Sequence, residues 1–174
     1  MPLFSLSQQR DESNTSTKSQ ISSLGRKCTI VTCDLSSASD VSTLVSRVLK
    51  TNSRIDILLN CAGIQKRHPS HQFPTEDFDA VIQVNLNVPF VLCRDVGAHM
   101  LGQEPNPVTG RRGSIINIAS LLTFQGGITV PAYAASKGGV GQLTKAFSNE
   151  WASKGVNVNA ISPGYINTGE SSFC

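Results

Sequence analysis

Apolar positions along the chain recur with two different spacings, and the spacings alternate. Cys28 to Leu35 is a short β-branched run that ends at Asp34, which predicts a buried strand. Ser36 to Asp40 supplies helix-capping residues. Val41, Leu44, Val45 and Val48 then recur at helical spacing. Ile55 to Leu59 is a second apolar run, closed by Asn60-Cys61-Ala62-Gly63. After a loop holding Pro69 and Pro74, Thr75 is expected to cap a long helix through Phe78, Val81, Ile82, Val84 and Leu86 to Met100. Residues 102–113 read as a surface loop, and Ile115 to Ala119 as a third strand. A helix is expected from about Ala132 to Ser153, with Val140, Leu143, Ala146, Phe147 and Trp151 as its apolar face. Val156 to Ile161 is the fourth strand, broken by Pro163-Gly164. Residues 1–24 are polar, with weak helical character from Asn14 to Leu24 and a stop at Gly25.

Strand and helix thus alternate four times, and the apolar strands read as buried on both faces. That is the pattern of an α/β fold with a parallel sheet flanked by helices. In such sheets the ligand crevice lies outside the carboxyl ends of the strands. Asp34, Asn60, Ser120 and Pro163 stand at those ends.

Composition narrows the function classes. The 174 residues are 39% hydrophobic and 16% charged, a globular balance, with a net charge of +3. The tight basic clusters, Lys66-Arg67-His68 and Arg111-Arg112, are too short to track a phosphate backbone, so nucleic acid is not an expected partner. No run approaches the ~18–20 apolar residues of a membrane span, and Met1 to Asn14 carries no targeting pattern. A cytoplasmic location is the expectation. Five cysteines without paired spacing read as buried free thiols rather than metal ligands.

Chemistry concentrates on one helix. Tyr133 and Lys137 are four residues apart, hence one turn apart on a shared face. A lysine ammonium beside a phenol favours phenolate and brings it toward acid–base work near neutral pH. Ser120, at a strand end, offers a hydroxyl for a substrate oxygen; alone it reads as a turn cap, and the Tyr-Lys pair gives it weight.

Ser120, Tyr133-Ala-Ala-Ser-Lys137, Asn60-Cys-Ala-Gly63, Pro163-Gly-Tyr-Ile-Asn-Thr168 and Asn85 resemble the motifs of the short-chain dehydrogenase/reductase family, in family order between residues 28 and 168. The resemblance implies a Rossmann-like doubly wound fold and NAD- or NADP-dependent hydride transfer on a secondary alcohol or ketone. It implies Tyr133 as general acid/base, Lys137 as its activator and ribose contact, and Ser120 as the group orienting the substrate. Asn85 would hold a water of the proton relay. Asp34 and the Leu35 backbone would meet the adenine, and Asn60, Ala62 and Gly63 would line the cofactor crevice. Pro163, Gly164, Ile166 and Thr168 would hold the carboxamide. The stretch from Ser114 to Pro131 resembles the 2-deoxy-D-gluconate 3-dehydrogenase and gluconate 5-dehydrogenase branch. That implies a small anionic polyol as substrate, with Arg67 and Gln125 as candidate contacts; Arg67 reads equally as a solvated loop charge.

The chain departs from the family in one respect that matters. The family's Gly-rich first turn, whose backbone N–H groups receive pyrophosphate, has no counterpart: Gly25 is the lone glycine before Cys28. The expectation is a lead-in over 1–27 and an incomplete catalytic domain over 28–174, lacking the first two strands and the last, as from a skipped exon. Low stability is expected, with homo-oligomerisation if the chain folds. The alternative is a non-catalytic fragment that associates with full-length homologues.

Overall fold

The structure, a computed structural model, describes residues 3–7 and 14–164, with side chains from residue 17 onward. Internal packing divides the chain into residues 1–53 and 54–174.

In the first unit, strand β1 (Leu3–Ser7) pairs in parallel with β2 (Cys28–Thr32), Leu3 opposite Cys28 and Ser7 opposite Thr32. The hydrophobic pattern did not predict β1. Five residues interrupted by serine carry little periodicity, and their ladder partner lies outside any local window. Helix α1 (Asn14–Ser23) links the two strands. It closes on Gly25, whose φ of 69° lets its N–H reach the Ser22 carbonyl at 2.9 Å while Arg26 N–H reaches Ile21. Helix α2 (Ala38–Leu49) buries the four residues its spacing predicted, Val41, Leu44, Val45 and Val48. Ser37 caps it by accepting from the Asp40 N–H at 3.3 Å.

The second unit holds a three-stranded parallel sheet in the order β3 (Ile57–Asn60), β4 (Gly113–Ile118), β5 (Val156–Ile161). The register sets Asn60 opposite Asn117 and Ile118 opposite Ile161, so the carboxyl ends line up. β4 is central, with Gly113, Ile115 and Asn117 buried in alternation. The expectation of strands buried on both faces fails for β3. It is an edge strand of this sheet, and Ile57 and Leu59 are each 52% exposed.

Helix α3 (Thr75–Ile82) runs through a π-turn (Gln83–Asn87) into α4 (Val88–Gly102). Thr75 does not cap it: Pro74 stands at the cap, and its carbonyl accepts from Phe78 N–H at 3.0 Å. Glu76 and Asp77 in the first turn suit the positive end of the helix. After the short helix α5 (Leu122–Gln125), α6 (Pro131–Trp151) packs on β5 and α3. Its buried stripe differs from the expected one. Ala146 is exposed, whereas Ser136, Lys137 and Thr144 are buried beside Ala132, Val140 and Trp151. Polar side chains enter this stripe because each finds a partner there. The far end of α6 is held by the stacked rings of Phe90, Phe147 and Trp151, with centroids 6.3 and 4.5 Å apart. Gly97 permits that packing: a Cβ there would stand 2.6 Å from the Trp151 ring.

Of the cysteines, Cys28, Cys33 and Cys93 are buried free thiols, as expected; Cys61 is exposed, and Cys174 lies outside the described residues. Among the described residues no group of three His, Cys, Asp or Glu could hold a metal ion, and no helix is long and apolar enough to cross a membrane.

Candidate active site

The site grows from Lys137. Helix α6 carries it inward until 5% of it is exposed, and its Nζ donates to the Ile118 carbonyl, the last of β4, at 2.6 Å. Burial pushes its pKa below the ordinary lysine value, partly opposed by neighbouring Cys61. One turn back on the helix, the Tyr133 ring centroid lies 5.5 Å from the same Nζ. The i, i+4 spacing therefore brings the two groups together as the sequence predicted.

Asn85 enters from the π-turn and is 1% exposed. Single π-turns inside helices recur at functional sites because they re-aim side chains. Here the amide of Asn85 grips the chain after β3: Oδ1 accepts from Ile64 N–H at 2.8 Å, and Nδ2 donates to the Ile64 carbonyl at 2.9 Å. Nδ2 also donates to Ser136 Oγ at 3.2 Å, and Ser136 Oγ donates to the Tyr133 carbonyl at 2.8 Å. Gly63 closes this corner. A Cβ on it would lie 3.3 Å from Asn85 Oδ1 and 3.8 Å from Lys137 Nζ, so a glycine keeps open backbone beside the ammonium.

Ser120 follows β4 by two residues and is half-buried. Its Oγ accepts from Leu122 N–H at 3.2 Å, the turn-capping role, while its own N–H donates to Thr123 Oγ1 at 3.3 Å. Thr123 Oγ1 in turn donates to the Lys137 carbonyl at 3.0 Å. Tyr133, Lys137, Asn85 and Gly63 thus meet at the carboxyl end of β4, and Ser120 is tied to them through Thr123.

The other candidates are placed differently. Asn60 points inward, its Nδ2 donating to Asn117 Oδ1 at 2.8 Å and to Cys93 Sγ at 3.3 Å. Asn117 Nδ2 continues to Thr144 Oγ1 at 3.0 Å, so a buried polar line crosses from β3 through β4 to α6. Desolvation pushes the Cys93 thiol in this line up to about 11. Ala62 is exposed on the turn after Asn60. Arg67 is also exposed; Gln65, with its amide oxygen turned toward the guanidinium, accepts from Nε and Nη2, both at 3.1 Å. Gln125 is exposed at the end of α5. Pro163 and Gly164 follow β5 after Ser162, while Ile166 and Thr168 lie outside the described residues.

In the first unit Asp34 forms a local turn. Its Oδ1 accepts from Ser36 N–H at 2.9 Å and Ser36 Oγ at 2.7 Å, which holds its carboxyl below the usual range. Leu35 beside it is buried. Thr123, Ser136, Asn117 and Thr144 escaped the sequence reading. The usable signal was a polar residue at a position whose neighbours in the period are buried, as with Asn117 between Ile115 and Ala119.

Comparison with known proteins gives the family. The family model for short chain dehydrogenase matches residues 4–172. The 2-dehydro-3-deoxy-D-gluconate 5-dehydrogenase of Pseudoalteromonas atlantica is 48% identical over 151 residues, covering 87% of this chain and 57% of that protein. A gluconate 5-dehydrogenase from Burkholderia cenocepacia, solved in complex with NADP and tartrate, is 30% identical with a TM-score of 0.82, covering 95% of this chain and 62% of that one. An NAD+-bound xylitol dehydrogenase gives 29% identity and a TM-score of 0.85, covering 97% and 62%. The chain spans a little over half the length of these relatives. With a family match across nearly its whole length and the Tyr-Lys pair set at the end of its central strand, the chain belongs to the short chain dehydrogenase family.

Proposed function

We propose that this protein is an NAD- or NADP-dependent oxidoreductase acting reversibly on a secondary alcohol or ketone of a sugar acid. The observation that carries the reading is the buried Lys137 ammonium, fixed on the Ile118 carbonyl and set against the Tyr133 ring at the strand end that leads to Ser120. The sugar-acid class is supported by the relatives named for gluconate derivatives.

The residues present fit the nicotinamide-ribose end of the cofactor. Gly63 leaves open backbone next to the Lys137 ammonium, a cradle that a Cβ would narrow. Ala62, Gly63, Pro163 and Gly164 would border it, together with Ile166 and Thr168. Asp34 and Leu35 would meet the adenine. The cofactor, when bound, supplies the hydride donor or acceptor. In the oxidation direction Tyr133 takes the proton from the substrate hydroxyl as the carbinol carbon gives up its hydride. Ser120 hydrogen-bonds the same oxygen, and the Lys137 charge stabilises the phenolate. Asn85, its amide committed to Ile64 and Ser136, would hold the relay water. Arg67 Nη1 and Gln125 are the contacts offered to the carboxylate. A cytoplasmic homo-oligomer taking a small-molecule substrate completes the reading.

The test is turnover of purified chain with 2-dehydro-3-deoxy-D-gluconate or 2-deoxy-D-gluconate and either cofactor, followed by nicotinamide absorbance. Turnover that Tyr133→Phe abolishes is expected. Absence of turnover, with no thermal shift from millimolar NADH or NADPH, overturns it. A second reading, a non-catalytic fragment joining full-length homologues, is favoured by the exposed Ile57 and Leu59 on edge strand β3. Co-elution with a full-length relative, without turnover, is its signature.

A further inference from the structure

We infer that Thr123 is a positioning residue for the reaction, a hydroxyl that fixes the distance between Ser120 and the Tyr133–Lys137 face of α6; the inference rests on the oxidoreductase reading. Ser120 and Lys137 lie on different elements, and a substrate oxygen held between them requires that the elements keep one spacing. The described bonds supply two ties across that gap. One is Lys137 Nζ on the Ile118 carbonyl, which anchors the helix to the end of β4. The other passes through Thr123, whose Oγ1 accepts from Ser120 N–H at 3.3 Å and donates to the Lys137 carbonyl at 3.0 Å. A hydroxyl is the smallest group that donates and accepts at once, so one atom serves both backbones. The Lys137 carbonyl belongs to the residue whose side chain makes the first tie. The backbones bearing the two catalytic groups are therefore stitched at Thr123.

The helix is cut to receive this side chain. Gly141, one turn beyond Lys137, faces Thr123, and a Cβ on it would stand 2.7 Å from Thr123 Cγ2. Any larger residue at 141 must push Thr123 outward and lengthen both bonds. A backbone bond from Thr123 N–H to the Ser120 carbonyl and a bond from Leu122 N–H to the Ser120 side-chain Oγ close the turn on the strand side. On the helix side the methyl rests over Gly141, and the hydroxyl makes the hydrogen bond.

Two variants separate the hydroxyl from the shape. Thr123→Val keeps the methyl contacts and removes both bonds; Thr123→Ser keeps the hydroxyl. The direct readout is hydrogen exchange at the Ser120 amide, followed by NMR on the intact chain. Thr123→Val should speed it about tenfold, with Thr123→Ser near the parent. In turnover, Thr123→Val should lower kcat about ten- to hundredfold with KM within about twofold, since a misplacement of about 1 Å is that costly, and Thr123→Ser should restore it. Gly141→Ala, which displaces Thr123 with its hydroxyl intact, should fall between and serves if the valine variant does not fold. Unchanged Ser120 exchange and unchanged kcat in Thr123→Val or Gly141→Ala, with an active parent, overturn the inference alone. An equal loss in Thr123→Val and Thr123→Ser overturns it too, as a packing role would give. A parent that turns over fully as Tyr133→Phe, or not at all, overturns the functional reading and this inference with it.

Discussion

Two candidate regions, one in each unit, are built in opposite ways. Asp34, the adenine candidate, is held by partners two and six residues away, Ser36 and Asp40. In the acid–base region the partners are remote: Thr123 to Lys137 spans 14 residues, Lys137 to Ile118 19, Asn85 to Ile64 21, and Asn85 to Ser136 51. A local turn forms wherever its few residues are present and is lost at little cost. A set of long-range bonds is worth something only when strand, loop and helix are all in place, and then losing one leaves buried groups unpaired. The proposed chemistry is thus mounted on the cooperative part of the molecule.

The largest break in that contrast should come from Tyr133→Phe, which leaves the framework and removes the proposed proton carrier. Turnover should fall by about 10²- to 10⁴-fold, with an unchanged circular dichroism spectrum. Asn85→Leu strips the grip on Ile64 and Ser136 from a fully buried position. Roughly 3 kcal/mol of stability should go in denaturant unfolding, because several buried groups lose partners together. Thr144→Val, which orphans one Asn117 N–H in the interior, should cost about 1.5 kcal/mol by the same measurement. Ser36→Ala should give the smallest change in that titration, since Asp34 and Ser36 are exposed. A large loss from Ser36→Ala, or none from Asn85→Leu, would erase the distinction.

The two regions should also answer to pH with the same sign in different windows. Burial lowers the Lys137 pKa, so the unfolded chain binds that proton more tightly. Stability from this group therefore rises with pH between the lowered value and the ordinary 10.5. Asp34 is held below the ordinary 3.8, so its contribution is present above 3.8 and fades as pH falls through the lowered value. Lys137→Met should abolish the alkaline slope and leave the acid one, read from unfolding midpoints across pH.

Much of this was legible in residue order. The spacing of Val41, Leu44, Val45 and Val48 gave α2, and Val156–Ile161 gave β5 to the residue, because burial on one side imposes a period. Tyr133 and Lys137 were visible because four residues is one helical turn. Strand β1 was not, since its pairing with β2 bridges 25 positions at every rung, as Leu3 to Cys28 does. Nor was the phase of α6, where Lys137 and Thr144 are buried and Ala146 is exposed. A pattern of apolar residues cannot foresee a polar group that goes inside because a carbonyl waits for it.

The sequence by itself determined the periodic elements, such as α2 and β5, the Tyr-Lys face and the family, because period, spacing and motif are all read from residue order. Tertiary structure alone decided that Lys137 is buried on Ile118, that the Asn85 amide grips Ile64 rather than facing the crevice, and that Thr123 joins Ser120 to α6. Those bonds link residues far apart in the chain, and a hydrogen bond, unlike a period, leaves no trace in sequence until both partners are brought to within about 3 Å.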